Sequence, residues 1–116
     1  MSSPANGRSL SLQNAVANSE YIERLQMVIR HLHKCESAHL ETVPVKETFR
    51  GETVWEGEVE VFSVSGHPRA VKCYAWSASQ GKPDEKFTAV LELPPVKSAL
   101  DAVRVSIVAQ NRKQLE

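Results

Sequence analysis

Three glutamates alternate through the run Thr53 to Val64, Thr-Val-Trp-Glu-Gly-Glu-Val-Glu-Val-Phe-Ser-Val. On a strand, Glu56, Glu58 and Glu60 point to one side, with neighbours roughly 7 Å apart. Carboxylates so spaced on a partly dry face push one another's pKa upward, which suits a general acid or base. The simpler reading is a charge ladder that answers Lys72 and Lys86 and limits edge aggregation. The chain leans away from enzymatic activity on this count, with a glutamate-based small enzyme as the alternative.

The other chemistry-bearing cluster is His31-Leu-His33-Lys-Cys35-Glu-Ser-Ala-His39. On a helix, His31 and Cys35 share a face at i, i+4, with His39 further along, which resembles part of a zinc ligand set. No Cys-x-x-Cys accompanies it, and no fourth ligand sits at a recognised spacing, although Cys73 or His67 can approach in space. The reading adopted is no metal and no cofactor: Cys35 and Cys73 are small buried apolar residues, and His33 and His39 are solvated near a helix end. His67, in Gly66-His67-Pro68, reads as turn chemistry. Ser63, Ser65, Ser77 and Ser79 lie in no nucleophile-elbow pattern, and there is no glycine-rich phosphate loop.

The elements that must position these groups follow from periodicity. Residues 1–18 are rich in Ser, Asn, Ala and Gly and read as a flexible arm, and 19–116 as a single domain. Ser19 is a plausible N-cap for a helix over about 19–36, with Ile22, Leu25, Ile29 and Leu32 on one stripe. Leu40 to Phe49 contains Pro44 and suits an edge strand. Strand 52–64 ends in a Ser-Gly-His-Pro turn, a second strand covers 69–77, and a third covers 86–93 before Pro94-Pro95. The segment 97–112 alternates like a strand at Val103, Val105 and Ile107. Ser98 and Asp101 look like a helix start, and a helix is the choice made. The fold class is thus α+β: an N-terminal helix, a four-stranded, mainly antiparallel meander, and a C-terminal helix, both helices on one face of the sheet.

Pairing Glu60 with Lys72 puts Val61 opposite Val71, Val59 opposite Cys73 and Gly57 opposite Ala75, like with like. A second hairpin then sets Val71 opposite Leu91, Cys73 opposite Ala89 and Ala75 opposite Phe87. The expected core face is Trp55, Val59, Val61, Val71, Cys73, Phe87, Ala89 and Leu91. The other face carries Glu56, Glu58, Glu60, Phe62, Tyr74 and Trp76, and aromatics beside carboxylates suit an interface. The expected function is therefore a small binding or interaction protein, homodimeric through that face, with a small-molecule ligand as a further possibility.

The runs His31 to Cys35, Thr53 to Phe62, Gly66 to Pro68, Cys73-Tyr-Ala-Trp76 and Ala89 to Val96 resemble a group of short bacterial proteins, some of them carried as integron gene cassettes. That resemblance spans about 20–112 and implies a bacterial origin and a small, often oligomeric α+β domain. It carries over no substrate, cofactor or catalytic residue.

Composition sets the outer bounds. Fourteen basic and fourteen acidic residues give a net charge of zero, so nothing global draws the chain to nucleic acid. No apolar run reaches the roughly 18 to 20 residues that cross a bilayer, and no leader with an apolar centre opens the chain, so a cytoplasmic protein with no membrane partner is expected.

Overall fold

The computed structural model describes residues 2–115, with side chains described over 18–110. Its elements are α1 (Ser2–His33), β1 (Glu36–Phe49), β2 (Glu52–Ser65), β3 (Lys72–Ala78), β4 (Lys86–Leu91) and α2 (Ala99–Leu115). The strands form one antiparallel sheet in the order β1-β2-β3-β4, the expected α+β meander. Among the described residues no helix is long and apolar enough to cross a membrane. Most of the stretch expected as an arm has the backbone of α1, and its side chains up to residue 17 lie outside the described residues.

Helix α1 stops three residues before the expected position because Lys34 takes a left-handed conformation, φ 57°. Arg30, His31 and His33 occupy its last turn, where cations and imidazoles suit the carbonyl end of the dipole. The chain then reverses into β1, an edge strand four residues longer at its start than expected, which tolerates Pro44 because its outer edge needs no ladder donor. Arg50 and Gly51, at φ 53° and 80°, close the β1–β2 hairpin in two residues, a turn whose twist matches the strands.

The ambiguous C-terminal segment is helical. The Ser98 hydroxyl accepts the Asp101 N–H at 3.2 Å, and the Asp101 carboxylate accepts the Lys97 N–H at 3.0 Å, so two orphan donors are satisfied where α2 begins. Burial of Ala99, Ala102 and Val103 outweighs the modest propensity cost of its β-branched residues.

The register departs from expectation. Glu60 pairs with Ala75, Val61 with Tyr74, Phe62 with Cys73 and Ser63 with Lys72, so β3 is displaced by three residues along β2. An odd displacement exchanges faces. Its cause lies in the connection: no tight turn forms at Ser-Gly-His-Pro, and the chain loops through 66–71 before β3 starts at Lys72. There His67 Nδ1 accepts the N–H groups of Arg69 (3.0 Å) and Ala70 (2.9 Å), and Ala70 enters the core. Val71, expected inside, is 66% exposed. The β3–β4 register, with Cys73 opposite Leu91 and Ala75 opposite Ala89, is displaced by two, and an even displacement keeps the faces.

Phe62, Val64, Cys73 and Ala75 consequently share one face and pack on Tyr21, Leu25 and Ile29 of α1. Val59, Val61, Tyr74 and Trp76 share the other and pack on Ala99, Ala102 and Val103 of α2. The helices therefore cover opposite faces of the sheet, not one face, and each face has its own apolar core. Burying Phe62 completely is the gain from this arrangement, worth about 1.5 to 3 kcal/mol of apolar transfer; the expected register would have left its ring on the outer face.

Candidate functional site

Beyond Glu60, strand β2 has no registered partner on β3 and continues only against β1. The α1 side of this hairpin extension carries Thr42 opposite Glu60, Pro44 opposite Glu58 and Lys46 opposite Glu56. Between it and residues 18–23 of α1 lies a cleft of about 520 Å³, lined by Asn18, Ser19, Tyr21, Ile22, Glu23, His39, Thr42, Glu58 and Glu60.

Glu60 is the buried charge of this cleft, only 6% exposed. Its Oε1 accepts a hydrogen bond from His39 Nε2 at 2.8 Å and another from the Thr42 hydroxyl at 2.5 Å. Burying a carboxylate is costly unless donors replace its water, and these two side chains supply them. In the neutral ring with Nε2 carrying the proton that faces Glu60, Nδ1 of His39 is the acceptor nitrogen. The ring also packs against Phe62, centroids 5.4 Å apart.

His39 and Thr42 are three residues apart, so a regular strand would send them to opposite faces. The β1–β2 register slips between His39 and Glu41: His39 pairs with Phe62, Glu41 with Val61, and Leu40 is the extra residue. This bulge turns His39 onto the face of Thr42 and Glu60, the re-aiming that bulges perform beside sites.

Tyr21 closes the cleft from α1. Its hydroxyl accepts the Ser77 N–H at 2.9 Å, and burial raises its pKa, opposed by that hydrogen bond and reinforced by the charges of Glu60 and Glu85. The phenol is thus a protonated, fixed group at neutral pH.

The six residues expected to share an interface are divided by the sheet. Glu56 and Glu58 are exposed on the hairpin extension, Glu60 is on the cleft floor, and Phe62 is fully buried under α1. Tyr74 and Trp76 lie on the opposite face, 4% and 5% exposed, under α2. Trp76 meets Trp55 edge-on, centroids 5.7 Å apart at 72°. The Tyr74 hydroxyl donates to Glu92, and its pKa is driven far above the ordinary range, first by burial and then by that carboxylate. The odd register shift is the reason: a twofold contact through Tyr74 and Trp76 would require α2 to leave. Nor do Lys72 and Lys86 answer the glutamates, since the residues opposite them across the hairpin belong to β1.

The zinc-like cluster is dispersed by the end of α1. His31 is exposed, His33 Nε2 donates to the Ala89 carbonyl at 2.9 Å, Cys35 enters the α1 core and His39 enters the cleft. Among the described residues no three His, Cys, Asp or Glu side chains stand together as a metal would need. Cys73 shares the core of Cys35, and burial pushes its thiol up to about 12, so neither its thiolate nor its access suits a nucleophile.

No family model matches the chain, and neither a curated protein nor a solved structure matches it. The sequence marks Glu60 and His39 separately, in different constellations, and gives no sign of Thr42 or Tyr21. The only signal that joins the first three is the bulge at Leu40, a backbone event.

Proposed function

We propose that this is a small-molecule binding protein whose ligand occupies the cleft between α1 and the β1–β2 hairpin. The observation that carries the reading is Glu60, a carboxylate buried on the floor of a cleft of about 520 Å³ and held there by two side chains that a strand bulge brings together. A structural residue at this position would be better apolar, because buried charge is weak support for stability. Concavity, a few converging polar groups and an apolar wall from Tyr21 and Ile22 are the ordinary makings of a ligand site.

Titration of isotope-labelled protein with a fragment collection tests it. Shifts should gather at His39, Thr42, Tyr21 and Glu58 and weaken in Glu60→Gln. Ligands that shift only the α2 face or the hairpin tip would overturn the reading.

One feature favours a second reading, a small enzyme. A histidine whose Nε2–H is oriented by a buried carboxylate, with its other nitrogen able to accept, is the base-and-orienter half of many acid–base sites. In that reading His39 takes the proton and Glu60 positions it, a reversal of the glutamate-base role that the ladder suggested.

A further inference from the structure

We infer that the cleft selects a short aliphatic diamine, one ammonium group on Glu60 and the other on Glu58, an inference that rests on the cleft being the ligand site. The charge inventory comes first. Glu23, Glu58 and Glu60 line the cleft, and no lysine or arginine is among the described lining residues. Carboxylates only accept hydrogen bonds, so the ligand must bring donors, and a cation brings the strongest. An anionic ligand would meet three like charges at close range.

Both hydrogen bonds to Glu60 fall on Oε1, and among the described residues Oε2 has no partner. A buried carboxylate with one oxygen saturated presents the other to an incoming ammonium group. Glu58 sits two residues along the same strand and lines the same cleft, with its side chain on the same side as that of Glu60. That spacing is roughly 7 Å, a span that four methylenes between two ammonium nitrogens cover. Ile22 and the Tyr21 ring line the same cleft and give the methylenes an apolar wall. The exposed rim position of Glu58 keeps one end of the ligand near solvent, so only one ammonium must be fully desolvated.

The test uses three probes of equal length on the full chain: 1,4-diaminobutane, 1,4-butanediol and succinate, each titrated into labelled protein by NMR. The inference expects the diamine alone to shift His39, Thr42 and Tyr21, with an apparent Kd that weakens about tenfold or more in Glu60→Gln and several-fold in Glu58→Gln. Glu58→Gln alters an exposed side chain, so its result stands even if Glu60→Gln folds poorly. Shifts at these residues with the diol or succinate but not the diamine would overturn the diamine and leave the cleft as a ligand site. No shift there with any probe, alongside no fragment response at the same residues, would overturn both.

Discussion

His39 Nε2 lies 2.8 Å from Glu60 Oε1, across two strands and one bulge, and this contact joins a residue near the start of β1 to the strand with the clearest alternation in the chain. It turns a row of surface glutamates into a site with a floor. Glu56 and Glu58 keep their water; Glu60 exchanges it for an imidazole and a hydroxyl.

Removing that carboxylate costs the two hydrogen bonds it accepts, although His39 and Thr42 are exposed enough to turn to water. Glu60→Ala should lower stability by about 0.5 to 1.5 kcal/mol, the net worth of such bonds, whereas Glu56→Ala should stay within about 0.5 kcal/mol. Urea unfolding of the two variants side by side measures the difference; equal midpoints would place Glu60 in solvent.

Phe62 tests the register of β2 on β3. Phe62→Ala should cost about 3 to 5 kcal/mol as a core truncation, and Phe49→Ala, at the exposed hairpin tip, should cost far less. The reverse order would restore the arrangement in which Phe62 faces outward.

Alkaline pH should destabilise the fold. The Cys73 thiol rises from 9.0 to about 12 on folding, so the unfolded chain releases that proton first. The stability it contributes is complete below about pH 9 and is lost as pH climbs toward 12. Tyr74 and Tyr21, both raised chiefly by burial, act in the same direction above their ordinary value of 10.0. Unfolding midpoints measured from pH 8 upward should fall, and Cys73→Ala should flatten the first part of that fall. A thiol reagent at pH 8 should find Cys73 unreactive until denaturant is added.

The hairpin turn isolates a backbone effect. Gly51 has φ 80°, and a Cβ there would meet nothing within 4 Å. Gly51→Val should therefore cost about 1 to 2 kcal/mol through conformation alone, read by thermal unfolding. A neutral result would mean that the turn had shifted to another type.

Element types were legible because each rests on local periodicity: Leu25 and Ile29 mark α1, the alternation from Trp55 to Phe62 marks β2, and Ser98 with Asp101 marks the start of α2. Pairing was not, because the parity of the β2–β3 register depends on how many residues the connection takes up. A tight turn at Ser-Gly-His-Pro and a loop held by His67 Nδ1 differ by an odd number, and that difference alone moves Tyr74 and Trp76 from a shared face with Glu60 to the core under α2. The site was hidden for a related reason. Leu40 looks like any apolar strand residue, yet its insertion decides where His39 points.

Nuclear Overhauser contacts of the His39 ring test this account most directly. The ring should show contacts to both the Thr42 methyl and the Phe62 ring, since His39 and Thr42 hydrogen-bond the same oxygen and the two rings lie 5.4 Å apart. Contacts to Val61 or to α2 residues, or none to Thr42, would mean that no bulge turns His39 toward Glu60, and the proposed cleft would lose its floor.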